Sequence, residues 1–245
     1  MKFAFGRYVP GNSIIHALDP RTKIISSFVL VSAVLFVQNL TGYLIFFFVF
    51  LLISFLSNIR FTLYLRSVKN MWFLILFASV VQYFVSGLEM SIFIALRLAF
   101  VVLFASFLTF TTSPLLISRG LSDLLKFFGV KKRYRDDFGM IMTISFRFIP
   151  ILFDEVDRII KAQIARGAKF DQKGLKYKLQ AIIVIIVPLL VSSIRKAEEI
   201  SIALQARKYG LFERKSYYKL CWSIRDTLFL IFSISILIFI LVFKL

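Results

Sequence analysis

One cysteine, one histidine, five prolines and thirteen acidic residues are all that 245 positions contain of those types. A single thiol, Cys221, cannot form a disulfide within the chain and says nothing more about compartment. His16 alone cannot build a metal site, so a zinc enzyme is not expected. No G-x-x-x-x-G-K-[ST] loop occurs, which argues against ATP binding through a P-loop. No Gly-rich dinucleotide loop and no nucleophile–His–acid arrangement occurs either. The first apolar run begins only at Ile24, after charged residues and with no small-residue cleavage site, so no signal peptide is expected.

The scarcity of acid leaves the charge one-sided. Thirty-one Lys and Arg stand against thirteen Asp and Glu, a net charge of +18. Such a balance suits nucleic acid, anionic lipid or an acidic protein partner. Here the cations fall between apolar runs, and no groove-reading motif accompanies them. That pattern fits membrane topology and no nucleic-acid partner. What the chain has in abundance is apolar: 59% of residues are hydrophobic and 30 are Phe, against about 45–50% apolar in soluble domains. The Phe excess is most simply placed in lipid, where apolar side chains need no partner.

A bilayer crossing needs about 20 largely apolar residues. Five stretches qualify: about Ile24–Gln38, Tyr43–Ile59, Met71–Val85, Ser91–Thr112 and Ser223–Phe243. The first is short unless its helix begins at Pro20, where Asp19 can cap free N–H groups and Pro is tolerated at the first helical position. Their flanks alternate. Lys2, Arg7, Arg21 and Lys23 precede the first; Asn39–Gly42 is neutral. Arg60, Arg66 and Lys69 follow the second; Ser86–Met90 carries only Glu89. Arg119, Lys126, Lys131, Lys132, Arg133 and Arg135 follow the fourth. Basic loops mark the cytoplasmic side, so the N-terminus is expected inside.

Two further apolar runs, Phe138–Phe153 and Leu179–Ile194, are short, contain Pro150 and Pro188, and have cations on both flanks. Crossing would export one basic flank, so they read as helices against or beneath the bundle. Seven ordinary spans are the rival reading, and the loop around residues 170–176 discriminates between them. Ser113-Pro114 reads as another helix start, with Ile117, Leu121, Leu124, Leu125 and Phe128 on one face and Gly129 as its stop. Arg119 and Lys126 would then face headgroups. Arg97, inside the fourth span, needs a partner such as Glu89 or a backbone carbonyl.

Two segments resemble each other at an interval of 41 residues. Asp154–Gly167 reads DEVDRIIKAQIARG and Lys196–Lys208 reads KAEEISIALQARK. Both read as amphipathic helices, with Val156, Ile159, Ile160 and Gln163 on one face and Ala197, Ile200, Ser201 and Leu204 on the other's. The acids come early, where a helix N-terminus favours them, and Arg166 and Arg207 come late, where a C-terminus favours a cation. By spacing alone, two solvated charge patterns are the simpler reading.

The order of motifs adds to this. Ser13-Ile14-Ile15-His16-Ala17-Leu18-Asp19-Pro20-Arg21-Thr22-Lys23 resembles the S-x-x-H-x-L-D-P-R-T-K segment of the transmembrane T component of energy-coupling factor (ECF) importers of vitamins and metal ions. Phe146-Arg147-Phe148-Ile149-Pro150 leading to Ala162-Gln163-Ile164-Ala165-Arg166-Gly167 is similar to that family. So is Val187-Pro188-Leu189-Leu190 leading to Ala206-Arg207. The match covers about Pro10 to Gly210.

The resemblance implies a non-catalytic scaffold of an ATP-binding cassette importer in the bacterial cell membrane. Its partners would be two cytoplasmic ATPases, identical or paralogous, and a membrane substrate-binding S component. It implies that Ala165-Arg166-Gly167 and Ala206-Arg207-Lys208 dock the ATPases. The family often has Gly where Lys208 stands. The implied organisation is membrane helices in residues 1–112, a cytoplasmic coupling region in 113–219 and a last membrane helix in 220–245. The fold class expected is all-α integral membrane, with about five transmembrane helices and long amphipathic coupling helices. No cofactor is implied. Two rivals are an integral-membrane enzyme acting on a lipid-linked substrate and a self-sufficient permease. The early position of the acids argues against the first, and the few intramembrane polar groups against the second.

Overall fold

A computed structural model describes residues 8–167, 174–210 and 220–243. Among them are eight helices and no strand: α1 Pro20–Leu35, α2 Leu40–Ser57, α3 Phe61–Asn70, α4 Trp72–Thr111, α5 Pro114–Leu124, α6 Lys132–Ala165, α7 Leu175–Ala206 and α8 Ile224–Phe243. The segment 170–176, which would report sidedness, lies mostly outside the described residues, as do Lys2 and Arg7. The helices form two units. One holds α1–α5 with α8, the other α6 with α7.

The first unit is a membrane bundle. Among the described residues α2, α4 and α8 are long and apolar enough to cross a bilayer. Helix α4 is interrupted at Gly87, whose φ of +85° and ψ of −174° lie outside helical space. The chain folds back there. Ser79 Oγ donates to the carbonyl of Ser91 at 2.9 Å and Ser91 Oγ to that of Ser79 at 2.8 Å, whereas twelve residues of straight helix would span about 18 Å. The expected third and fourth spans are the two arms of this hairpin. Helix α1 starts where Asp19 predicts: its Oδ1 accepts the Arg21 N–H at 2.8 Å. It is only 16 residues long and packs among α8, α4 and α5, which lets it carry the buried polar residues Thr22, Ser26 and Ser27.

Phenylalanine divides between two roles, which corrects its assignment to lipid alone. Phe28, Phe48, Phe55 and Phe84 are exposed, as lipid-facing side chains are, but Phe46, Phe50, Phe104, Phe107 and Phe110 are core. Their rings meet mostly edge to face: Phe46–Phe104 at 5.7 Å, Phe50–Tyr64 at 5.2 Å and Tyr64–Phe110 at 5.3 Å. Lipid supplies no hydrophobic drive between helices, so this directional packing specifies which helices pair.

Two connections differ from expectation. The basic segment after α2 is an amphipathic helix, α3, entered through Asn58 at φ +51°. Helix α5 starts at its Ser113 cap but ends at Leu124, short of Gly129. Its fully buried residues are Ser118, Gly120 and Ser122, whereas Leu121 is exposed. A Cβ on Gly120 would stand 3.0 Å from Ile24 Cδ1 and 3.2 Å from Pro20 Cβ, so α5 lies close on α1.

In the second unit, α6 runs unbroken for 34 residues through Pro150 and α7 for 32 through Pro188. The apolar runs and the charged repeats are therefore single long helices. Pro removes one backbone bond, but the helical turns on either side carry the chain past it.

Candidate functional site

The lead-in motif is a lattice of hydrogen bonds around the start of α1. Ser13 Oγ lies 2.7 Å from His16 Nδ1, and His16 Nε2 lies 2.9 Å from the Val9 carbonyl. A carbonyl only accepts, so Nε2 carries the proton and Nδ1 accepts from Ser13. Burial keeps the His16 pKa below its ordinary 6.5; the Val9 carbonyl opposes this and the Lys23 charge adds to it. Lys23, 1% exposed, donates to the carbonyls of His16 at 3.0 Å and Thr111 at 3.2 Å. Arg21 pairs with Asp123 of α5 at 2.5 Å.

Sequence reasoning missed the residue that closes this lattice. Asp226, 1% exposed, accepts the Asp19 N–H through Oδ1 at 2.7 Å. Its Oδ2 accepts Ser223 N–H at 2.8 Å and Ser223 Oγ–H at 2.7 Å. The signal was there: Ser223-Ile224-Arg225-Asp226 before an apolar run has the spacing of a capping box. Arg97 also finds its partner. Its Nη2 donates to the Val37 carbonyl beyond α1 at 2.8 Å, and its guanidinium lies 4.6 Å from the Phe93 ring centre. The carbonyl, not Glu89, receives it.

In the other unit the acids are not at helix starts. Asp154, Glu155 and Asp157 lie well inside α6, and Glu198 and Glu199 lie in the last third of α7. Glu155 instead bridges the helices. Lys196 Nζ donates to it at 3.2 Å and Ser192 Oγ at 3.3 Å. The Lys196 hydrogen bond, aided by its charge and by Ser192, keeps the Glu155 carboxyl below its ordinary range. Tyr209 donates to Asp137 at 3.1 Å, near the start of α6. Pairing 155 with 192–196 and 137 with 209 makes α6 and α7 antiparallel. On α7 the half-buried row is Ser192, Lys196, Ile200 and Leu204, whereas Ala197 and Ser201 are exposed.

Arg166 and Arg207 follow the two helix ends, and with Ala165, Gly167, Ala206 and Lys208 they are exposed. Both turns have one shape. Arg166 N–H donates to Ala162 and Arg207 N–H to Ala203. Gly167 then takes φ +86° and Lys208 φ +56°. Lysine thus accepts the left-handed turn that glycine makes in the first repeat. The two Arg are not brought together. Each lies eleven residues beyond the Glu155–Lys196 contact (166 − 155; 207 − 196), in opposite directions. At 1.5 Å per residue they stand up to about 33 Å apart along the helix axes.

A hydrophobic bundle with a hairpin at Gly87, and a separate pair of long antiparallel helices ending in matched Arg turns, define an all-α integral membrane protein. Residues 11–218 match the family described as CbiQ, cobalt transport protein. A Thermotoga maritima protein named energy-coupling factor transporter transmembrane protein EcfT is 40% identical, over 96% of this chain and 92% of its own length. Proteins of the same name from Streptococcus equi subsp. equi and Bacillus subtilis are each 35% identical, over 99% and 91% of this chain and 97% and 91% of their own. The chain belongs to this family of energy-coupling factor transporter transmembrane proteins and is a membrane component of such a transporter.

Proposed function

We propose that the chain is the non-catalytic scaffold of the transporter, passing motion from two cytoplasmic ATPase subunits to a membrane substrate-binding S component. Hydrolysis belongs to the ATPases. The reading places the N-terminus in the cytoplasm of a bacterial cell and the C-terminus outside, with five crossings: α1, α2, both arms of α4, and α8. Residues 1–112 and 220–245 form the membrane part and 113–219 the cytoplasmic coupling region, whose first helix, α5, packs on α1 while α6 and α7 form the separate pair. The charge alternation along the sequence supports this sidedness.

The observation that carries the reading is the pair of exposed, like-shaped Arg turns at opposite ends of one antiparallel helix pair. Two docking points so separated suit two ATPase subunits, one each. Arg suits the task because it stays charged and offers a planar fork of donors to carboxylates or carbonyls.

Arg166→Ala and Arg207→Ala test it. Truncating one partner of a buried charge pair at an interface costs about 2–5 kcal/mol, roughly 30-fold to several thousand-fold in affinity. Each single change weakens capture of the ATPases or uncouples hydrolysis from uptake, and the double change abolishes transport while the chain remains folded in the membrane. Arg→Lys restores only part. Wild-type uptake by the double variant would end the docking reading.

A further inference from the structure

The membrane bundle carries a cationic corner that the transport reading does not use. Helix α3 lies in the chain between two bilayer-crossing helices, α2 and α4, so it stands at a membrane boundary. Its inner face is Tyr64 and Ser67, with the Tyr64 hydroxyl 3.3 Å from Ser57 Oγ. Its outer face shows Phe61, Leu65, Arg66 and Lys69, with Arg60 just before it. There is no acid from Arg60 to Val85, and none of the three cations forms an ion pair among the described residues. Phe61 and Leu65 form an exposed apolar stripe beside Arg66 and Lys69, and such a mix of apolar and cationic side chains suits the membrane interface, where Phe and Leu reach the acyl boundary and the cations reach headgroups.

A groove of about 850 Å³ opens where α3 begins. Asn12, Ser13 and Asn58 give it a polar end, and Leu51, Phe55 and Phe61 give it an apolar wall. Phe55 is 87% exposed. Leu51 and Phe55 lie on α2 one turn apart, so the wall runs from the boundary into the hydrocarbon layer. Polar end, apolar wall and adjoining cations match the three parts of one molecule: glycerol ester, acyl chain and anionic phosphate.

We propose that this groove and the outer face of α3 bind an anionic phospholipid, with its phosphate toward Arg60 and an acyl chain along Leu51 and Phe55. Lipid is favoured over a protein partner because the apolar wall continues a bilayer-crossing helix. Free phosphate would leave that wall empty.

The test uses the full chain in vesicles, with Phe55→Trp as the sole tryptophan after Trp72→Phe and Trp222→Phe. Dibrominated phosphatidylglycerol and dibrominated phosphatidylcholine are compared as quenchers at equal mole fraction. The expected result is a preference for phosphatidylglycerol of about five-fold, the worth of one cation near an anionic surface. It should fall to near unity in Arg60→Gln/Arg66→Gln/Lys69→Gln and stay unchanged in Lys126→Gln, which alters overall charge elsewhere. Millimolar inorganic phosphate should leave it unchanged. Equal quenching by the two lipids, or a preference that survives the triple change, would overturn the proposal. So would displacement by inorganic phosphate. If the triple change leaves lipid quenching alone but weakens capture of the ATPases, the face is a protein interface and the proposal fails.

Discussion

Glu155 and Lys196 touch across the helix pair at 3.2 Å and stand 41 residues apart, the interval that also separates Arg166 from Arg207. Equivalent positions of the two repeats therefore meet each other. That happens only at the pseudo-two-fold centre of an antiparallel pair, so the two Arg ends are equidistant from this contact.

Reversal of charge at one site should loosen this centre. The pair is solvated, so its own contribution is small and is lowered further by salt. Glu155→Lys or Lys196→Glu alone puts like charges together and should lower ATP-coupled uptake. The double swap should recover most of it. A double swap no better than the singles would mean that Glu155 and Lys196 do not act as a pair.

Asp226→Asn should destabilise the membrane bundle by about 1.5–3 kcal/mol, as expected for a buried hydrogen bond to a charged group. The amide keeps the shape but removes the charge that faces the Asp19 N–H, the Ser223 cap and nearby Lys23. Thermal unfolding in detergent micelles reads this. An unchanged midpoint would show that the carboxylate does not hold α8 to α1.

The two Arg turns predict opposite effects from complementary substitutions. Gly167 at φ +86° has no atom within 4 Å of a built Cβ, so Gly167→Ala meets only backbone strain, about 1 kcal/mol. Lys208→Gly relieves strain of similar size at φ +56°, less what glycine adds in unfolded freedom. Proteolytic sensitivity of the α7 end should fall in Lys208→Gly, and that of the α6 end should rise in Gly167→Ala.

The His16 pKa lies below its ordinary 6.5 in the fold. The unfolded chain therefore binds a proton more readily. Stability is full above pH 6.5 and declines as pH falls from 6.5 toward the lowered value, levelling off below it. Melting of the wild-type chain should become acid-sensitive in that window. His16→Gln, which cannot titrate, should melt lower at neutral pH but lose the His16 share of the acid slope.

Local chemistry was legible in the sequence. Asp19-Pro20 and Ser113-Pro114 gave helix starts because capping is decided within four residues. The Gly87 hairpin followed from two apolar runs with a short break. Hidden were the contacts that depend on distance along the chain. Nothing near Asp154 shows that α6 began 22 residues earlier, because a helix can run through Pro150 and repeat similarity marks only its end. Glu155 was visible as an acid but not as a bridge, since its partner belongs to another helix. The leucines of α5 suggested a packed face, but the close approach at Gly120 turned the small residues inward.

The bond between the Asp19 amide and Asp226 joins residues 207 apart. During synthesis α1 is made long before α8 exists. Until α8 is made, the Asp19 amide lacks its acceptor, and Lys23 has only part of its native surroundings. Completion of the chain and closure of the bundle are thus one event. A product cut short before Ser223 would lack the acceptor of the Asp19 amide and leave that N–H at the start of α1 without its native partner.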